Sequence, residues 1–162
     1  FIAPPVQGEL SDITGTIGQY AHGNEPSHHV AYIYNYIGKP WKTQEMTRRL
    51  LDEMYKPTPD GICGNEDCGQ MSAWYILNAM GFYQVCPGKP VYSIGRPLFN
   101  EATVHLKDGK SFKVIAHNNS RDNKYVRSIV LNGNKLETPF FTHQDIVDGG
   151  TLELTMGSEP LK

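Results

Sequence analysis

Near residue 90 the apolar pattern of this chain changes its period, and that change limits the folds open to it. Before it, apolar residues recur three and four apart, as on the buried face of a helix. From Val91 onward they fall in short β-branched runs broken by Asp108-Gly109 and Asn132-Gly133-Asn134. A chain that reads as helices and then as strands, without alternating them, implies an α+β fold with the two kinds of structure segregated. The expected division is a helical part over 1–88 and an antiparallel sheet or sandwich-like part over 89–162. At 162 residues and 39% hydrophobic content, the chain can bury a core.

In the helical part, Ser11-Asp12 can cap a short helix over Ile13 to Tyr20, weakened by Gly15 and Gly18. A second helix starts at Pro26, presents Val30, Ile33, Tyr34 and Ile37 on one face, and stops at Gly38. A third opens at Pro40 and runs through Tyr55, with Met46, Leu50 and Met54 inward and Arg48, Arg49, Asp52 and Glu53 toward water. A fourth runs from about Gly69 to Met80 and stops at Gly81. The second and fourth are the more apolar around their circumference, as expected of inner helices separated by an outer one in an (α/α) toroid. Parallel inner helices would gather their N-termini at one end. The expected strands are Val91–Ile94, Ala102–Leu106, Phe112–Ala116, Val126–Leu131 and Thr151–Met156, with one helical turn over Phe141–Ile146.

Several function classes fall away. The 15 basic and 17 acidic residues give a formal charge of -2 with no basic stripe, so nothing here suits a nucleic acid. No run of about 18 apolar residues spans a membrane. Phe1-Ile2-Ala3-Pro4-Pro5 reads as a linker or a cut edge and not as a signal peptide.

Chemistry concentrates in two places. Gly61-Ile62-Cys63-Gly64-Asn65-Glu66-Asp67-Cys68-Gly69 sets two adjacent carboxylates and an amide between glycines, just ahead of a helix. Gly23-Asn24-Glu25-Pro26-Ser27-His28-His29 repeats the theme at an earlier helix start. Helix N-termini favour ionised carboxylates, so two such sites facing one hollow would make a base-plus-metal arrangement. Plainer roles suit the same residue types: Asp67 as an N-cap, Glu25 as a complement to the helix dipole, Asn24 and Asn65 in turns. His22, His28 and His29 with Cys63 and Cys68 offer zinc-type ligands. However, Cys-x4-Cys is loose and His28-His29 are adjacent, which makes packing or sugar contact the better reading. Three cysteines leave a Cys63–Cys68 bridge conceivable without making a disulfide framework.

Four ordered blocks resemble a known family. Tyr20–His29, Gly38-Lys39-Pro40-Trp41-Lys42-Thr43-Gln44-Glu45, Gly64–Tyr75 and Gly81-Phe82-Tyr83 are similar to glycoside hydrolase family 92, the calcium-dependent exo-acting α-mannosidases. The resemblance continues through Gly95-Arg96-Pro97-Leu98-Phe99 and Asn118-Asn119-Ser120. It covers the C-terminal end of a much longer chain: the last helices of a catalytic toroid plus closing strands. It implies inverting removal of terminal α-linked mannose, with Asp67 at the position of the general base. Asn65 stands where some members carry a second aspartate, and so joins the catalytic set. Asn24 and Glu25 fall in the segment that builds the Ca2+ and sugar site, and Glu66 and His28 are further sugar-binding candidates. The general acid lies upstream of this chain, so the resemblance implies a fragment that is inactive alone. Its implied partners are a mannose-containing glycan and the remainder of its own polypeptide, an N-terminal β-sandwich and further toroid helices. Without that remainder, exposed helix faces would favour self-association. Family habit places such enzymes in the bacterial periplasm or at the cell surface or outside it. A non-catalytic carbohydrate-binding or structural module is the alternative from another class.

Overall fold

The structure, a computed structural model, describes residues 13–162. It begins with a small hairpin. Strands β1 (Thr16–Ile17) and β2 (Tyr20–Ala21) pair antiparallel, with Thr16 opposite Ala21. The helix expected over Ile13 to Tyr20 does not form. Gly15 and Gly18 both take positive φ, 59° and 61°, which turns the chain where a helix would need it to continue. The proposed cap at Ser11-Asp12 lies outside the described residues.

The expected second helix is broken too. Two 3-10 turns, Glu25–Ser27 and Val30–Tyr32, lead into a single α turn, α1 (Ile33–Tyr36). β-branched and aromatic residues crowd this stretch and favour helix only weakly. Side-chain anchors decide its course. The Tyr32 hydroxyl donates to Asn78 Oδ1 at 2.6 Å, and Asn35 Nδ2 donates to Ser93 Oγ at 2.7 Å and to the Ile94 carbonyl at 2.8 Å. The buried residues are therefore Ala31, Tyr32 and Asn35, whereas Ile33, Tyr36 and Ile37 are exposed.

Helix α2 (Pro40–Met54) matches its pattern. Leu50, Leu51 and Met54 are buried, while Arg48–Asp52 and Arg49–Glu53 form i,i+4 ion pairs on the outer face. Helix α3 (Gln70–Met80) runs between two left-handed glycines, Gly69 at φ 93° and Gly81 at φ 102°. It serves both halves of the molecule. Trp74 belongs to a cluster with Ile17, Tyr20, Ala31, Leu50, Leu51 and Met54, whereas Leu77 and Met80 pack on the core of the sheets.

Beyond α3 the chain is mostly strand, and with the helices before it the fold is α+β. Strands β3 (Phe82–Tyr83), β4 (Val91–Ile94) and β9 (Phe140–Thr142) form a three-stranded antiparallel sheet. Strands β5 (Glu101–His105), β6 (Ser111–His117), β7 (Tyr125–Leu131), β8 (Asn134–Lys135) and β10 (Gly150–Gly157) form the larger sheet in the order β5-β6-β10-β7-β8. The expectation of a purely antiparallel sheet is corrected here. β10 is antiparallel to β7 but parallel to β6, with Leu152 opposite Val114. Local turns specify only the β5–β6 and β7–β8 hairpins; β10 enters between them by a distant pairing that no turn signal encodes. Part of the expected helical turn is strand as well: Phe141 and Thr142 belong to β9. The short helix α4 (His143–Val147) starts after them on a Thr142/Asp145 capping box.

The larger sheet is tied to α2. The Gln44 Oε1 accepts the Val126 N–H at 3.1 Å and the Tyr125 hydroxyl donates to Glu45 at 2.8 Å. Those bonds fix the helices, and the loops at their ends, against a rigid base.

Candidate functional site

Two segments forty residues apart in sequence meet in one hollow of about 320 Å³, walled by Asn24, Glu25, Asn65 and Asp67 together with Thr14, Gly23 and Gly64. Glycine is what lets them meet. The Gly23 N–H donates to the Thr14 carbonyl at 3.1 Å, and Gly64 lies against Gly23 so closely that a Cβ on Gly64 would sit 2.9 Å from Gly23 Cα. A Cβ on Gly23 would overlap Thr14 Oγ1. The two chain segments thus pack backbone on backbone, and their next residues project into the same space.

Neither carboxylate sits at the head of a long helix. Glu25 opens a single 3-10 turn whose N-cap, Asn24, makes no side-chain capping bond. Asp67 lies before α3 in an unusual turn: Asp67, Cys68 and Gly69 all take positive φ, at 51°, 56° and 93°. For a residue with a Cβ this conformation costs about 1–2 kcal/mol. The N-cap reading of Asp67 therefore fails, because the cap position belongs to Gly69. Strain of this kind persists only where surrounding contacts over-determine it, and it concentrates at functional sites.

The Glu25 and Asp67 carboxyl groups lie within hydrogen-bonding reach of each other, with Glu25 as the acceptor. Glu25 is held below the usual carboxylate range first by a hydrogen bond from its own backbone N–H, then by the bond to Asp67. Nearby His28 adds a smaller pull in the same direction.

Under the hollow lies a layer of neutral histidines. His22 is fully buried, with Nδ1 2.7 Å from the Tyr20 hydroxyl and Nε2 2.7 Å from the Tyr55 hydroxyl. The Tyr55 hydroxyl spends its proton on the Met71 carbonyl at 3.1 Å, so His22 Nε2 must be the donor and Nδ1 the acceptor. Burial, helped by His28, lowers the His22 pKa to about 3. His28 is nearly as buried. Its Nε2 donates to the His22 carbonyl at 2.9 Å, and its Nδ1 accepts from Gln70 Nε2 at 3.2 Å. Trp74 closes the layer, donating Nε1–H to the His28 carbonyl at 3.2 Å and stacking parallel to Tyr55.

Of the residues singled out from sequence, Asn24, Glu25, Asn65 and Asp67 come together. Glu66 does not line the hollow; its carboxylate accepts both Ser72 N–H and Ser72 O–H at 2.9 Å. His28 has both ring nitrogens engaged inside the protein and supports the turn that carries Glu25. The zinc-type ligands do not come together: His22 is engaged by two tyrosines, and no group of three or more His, Cys, Asp or Glu gathers among the described residues. The hydrogen bonds of Tyr20, Tyr55 and Gln70 to the histidine layer, and the contact between the glycines at 23 and 64, went unread. Tyr20 and His22 sit two apart on an extended segment, hence on one side of it, a signal hidden by the helix expected there.

The donors facing the hollow are carboxylate and amide oxygens, the hard set that calcium prefers; with two carboxylates from this chain, amides, water or other segments would complete a shell. Among the described residues no helix is long and apolar enough to cross a membrane.

The sequence profile of the glycosyl hydrolase family 92 catalytic domain matches residues 1–158. A family GH92 α-mannosidase, BT3965 from Bacteroides thetaiotaomicron, solved in complex with mannoimidazole, is 47% identical with a TM-score of 0.87, over 93% of this chain and 20% of that one. The family GH92 inverting mannosidase BT2199 from the same organism is 51% identical with a TM-score of 0.81, over 88% of this chain and 19% of that one. An uncharacterized secreted glycosidase of Arthroderma benhamiae is 31% identical over 140 residues, 85% of this chain and 18% of that protein.

Proposed function

This chain belongs to glycosyl hydrolase family 92, and from that membership we propose that it is the C-terminal part of an exo-acting α-mannosidase. It would remove terminal α-linked mannose from glycans by inverting hydrolysis. The chain spans about a fifth of the length of the solved relatives. Helices α2 and α3 then belong to a catalytic toroid, and the exposed Ile33, Tyr36, Ile37 and Ile76 face helices of the remaining polypeptide. The observation that carries the reading is the contact between the Glu25 and Asp67 carboxyls across one small polar hollow.

That contact also limits what the pair can be. An inverting glycosidase separates its acid and base by about 6.5–9.5 Å to admit a water, and a retaining one separates its two carboxyls by about 5–5.5 Å. Groups in hydrogen-bonding contact satisfy neither distance. Glu25 and Asp67 therefore act as one centre on one side of the scissile bond, and the general acid comes from elsewhere in the polypeptide. In the contact as it stands Asp67 donates the shared proton to the ionised Glu25; once that proton has left to solvent, Asp67 is a carboxylate and takes the proton of the attacking water, and Asn65 beside it orients that water through its amide. Glu25, favoured in its ionised form, accepts a hydrogen bond from the same cluster and keeps Asp67 facing the hollow.

Asn24 and Glu25 would hold the calcium ion, which, when bound, grips the mannose hydroxyls and helps distort the sugar ring. Two carboxylates in contact share a proton until a cation displaces it. Calcium affinity should accordingly rise with pH through the carboxylate range. Without its acid partner and most of the sugar pocket, the chain alone should be silent. A secreted, periplasmic or surface location in a bacterium is part of this reading: the Arthroderma relative is a secreted glycosidase, and the solved relatives come from Bacteroides thetaiotaomicron.

The test is Asp67→Asn in the full-length enzyme. General acid–base groups contribute about 10²–10⁴ in rate, so kcat should fall by that factor while KM changes little. Turnover close to wild type would remove Asp67 from the mechanism.

A further inference from the structure

We infer that Glu66 is the positioning residue for Asp67: its carboxylate clamps the first turn of α3 and thereby fixes the left-handed turn that aims Asp67 into the hollow. This rests on Asp67 being the general base. Three bonds pin residue 66. Its Oε1 accepts the Ser72 N–H and its Oε2 accepts the Ser72 O–H, both at 2.9 Å, while its main-chain carbonyl accepts the Met71 N–H at 3.2 Å.

Those bonds fill a gap that the sequence leaves open. The N-cap of α3 is Gly69, which has no side chain to satisfy the free N–H groups of the first turn. Glu66 supplies the acceptor from outside the helix. The residues between the clamp and the helix, Asp67 to Gly69, all hold positive φ. A run of left-handed residues that includes two with Cβ atoms is not self-sustaining and needs an anchor at each end. The far anchor is the Gln70 N–H, which donates to the Asp67 carbonyl at 3.1 Å; the near one is Glu66. Without the near anchor, the Asp67 backbone is free to return to an ordinary conformation, and its carboxyl leaves the Glu25 contact.

The role is geometric, which separates it from an electrostatic one. A glutamine at 66 can still accept the Ser72 N–H through its amide oxygen and donate to Ser72 Oγ, keeping the clamp without the charge. An alanine keeps neither. Misplacement of a base by about 1 Å costs on the order of 100-fold in rate.

The experiment compares Glu66→Ala, Glu66→Gln and Ser72→Ala with Asp67→Asn, all in the full-length enzyme with calcium present, by kcat, KM and melting temperature. Glu66→Ala should lower kcat by about 100-fold with KM within about threefold, and Glu66→Gln should restore most of that loss. Wild-type kcat in Glu66→Ala, or a Gln variant as impaired as the Ala variant, overturns the inference. If Glu66→Ala fails to fold, Ser72→Ala decides. It removes one of the two side-chain bonds and should cost several-fold in kcat at unchanged KM, whereas an unaltered kcat counts against the clamp. Full activity in Asp67→Asn would sink the base assignment itself. An inactive Asp67→Asn beside a fully active Glu66→Ala would sink only the role given to Glu66.

Discussion

In the larger sheet, Phe112, Val114 and Ala116 alternate along β6, and Leu152, Leu154 and Met156 do so along β10, all facing one apolar core. Around the hollow, the chain buries His22, His28 and Tyr20 and half-buries Tyr55 instead, and satisfies them by a chain of hydrogen bonds. The sheet is held by area removed from water, which tolerates local change as long as volume is kept. The hollow is held by direction: each donor has one acceptor, and a turn in a costly conformation sits on top. The two regions should therefore fail in different ways. Damage to the sheet lowers stability and spares the chemistry, whereas a shift of the segments that wall the hollow costs chemistry first, and loss of the histidine layer beneath them costs stability.

The sharpest way to break that contrast is a core truncation in the sheet. Leu154 is fully buried, so Leu154→Ala in the full-length enzyme should cost about 2–5 kcal/mol in urea unfolding. The kcat of the folded fraction should stay within about twofold. A large drop in kcat would mean that the sheet tunes the site directly. Next is Gly64→Ala, which adds one methyl group 2.8 Å from Thr14 Oγ1 and 2.9 Å from Gly23 Cα. It should separate the two segments by a few tenths of an ångström and cost roughly 10–100-fold in kcat, with little change in melting temperature. An unchanged kcat would show that the segments need not touch.

A smaller effect comes from the neutral histidines. The His22 pKa falls to about 3 in the folded protein, and burial shifts His28 in the same direction. The unfolded chain then binds more protons between about pH 6.5 and pH 3, so stability is complete above that window and declines as pH drops through it. One histidine contributes about 1.4 kcal/mol per pH unit. Urea titrations at pH 5 and pH 7 should show this loss, and His22→Gln should reduce the slope. A pH-independent stability would mean that His22 protonates without unfolding the layer.

Much of the fold could be read from residues whose partners are near in sequence. The period of α2, the two glycines that bound α3, and the β5–β6 and β7–β8 hairpins with their left-handed Asp108 and Asn132 are local physics. The places where the sequence misled are those where distant contacts overruled propensity. The expected Pro26–Ile37 helix broke because Tyr32 and Asn35 reach across to Asn78 and Ser93. The parallel entry of β10 between β6 and β7 has no local cue. At the site, the acidic motifs stood out because glycines bracket them, and Asn24, Glu25, Asn65 and Asp67 did converge. The sequence points to parallel inner helices gathering their N-termini as the reason, and that is not the contact that joins them. The cause is a glycine-to-glycine contact and a left-handed turn, and backbone conformation of that kind leaves little trace in residue types.

On the function proposed here Glu25 and Asp67 form a single centre, and a double-mutant cycle on the full-length enzyme distinguishes one centre from two independent groups. If the two carboxyls work as one, Glu25→Gln combined with Asp67→Asn should release mannose within about threefold of the rate of Asp67→Asn alone. Losses that multiply, as for two independent groups, would contradict the claim.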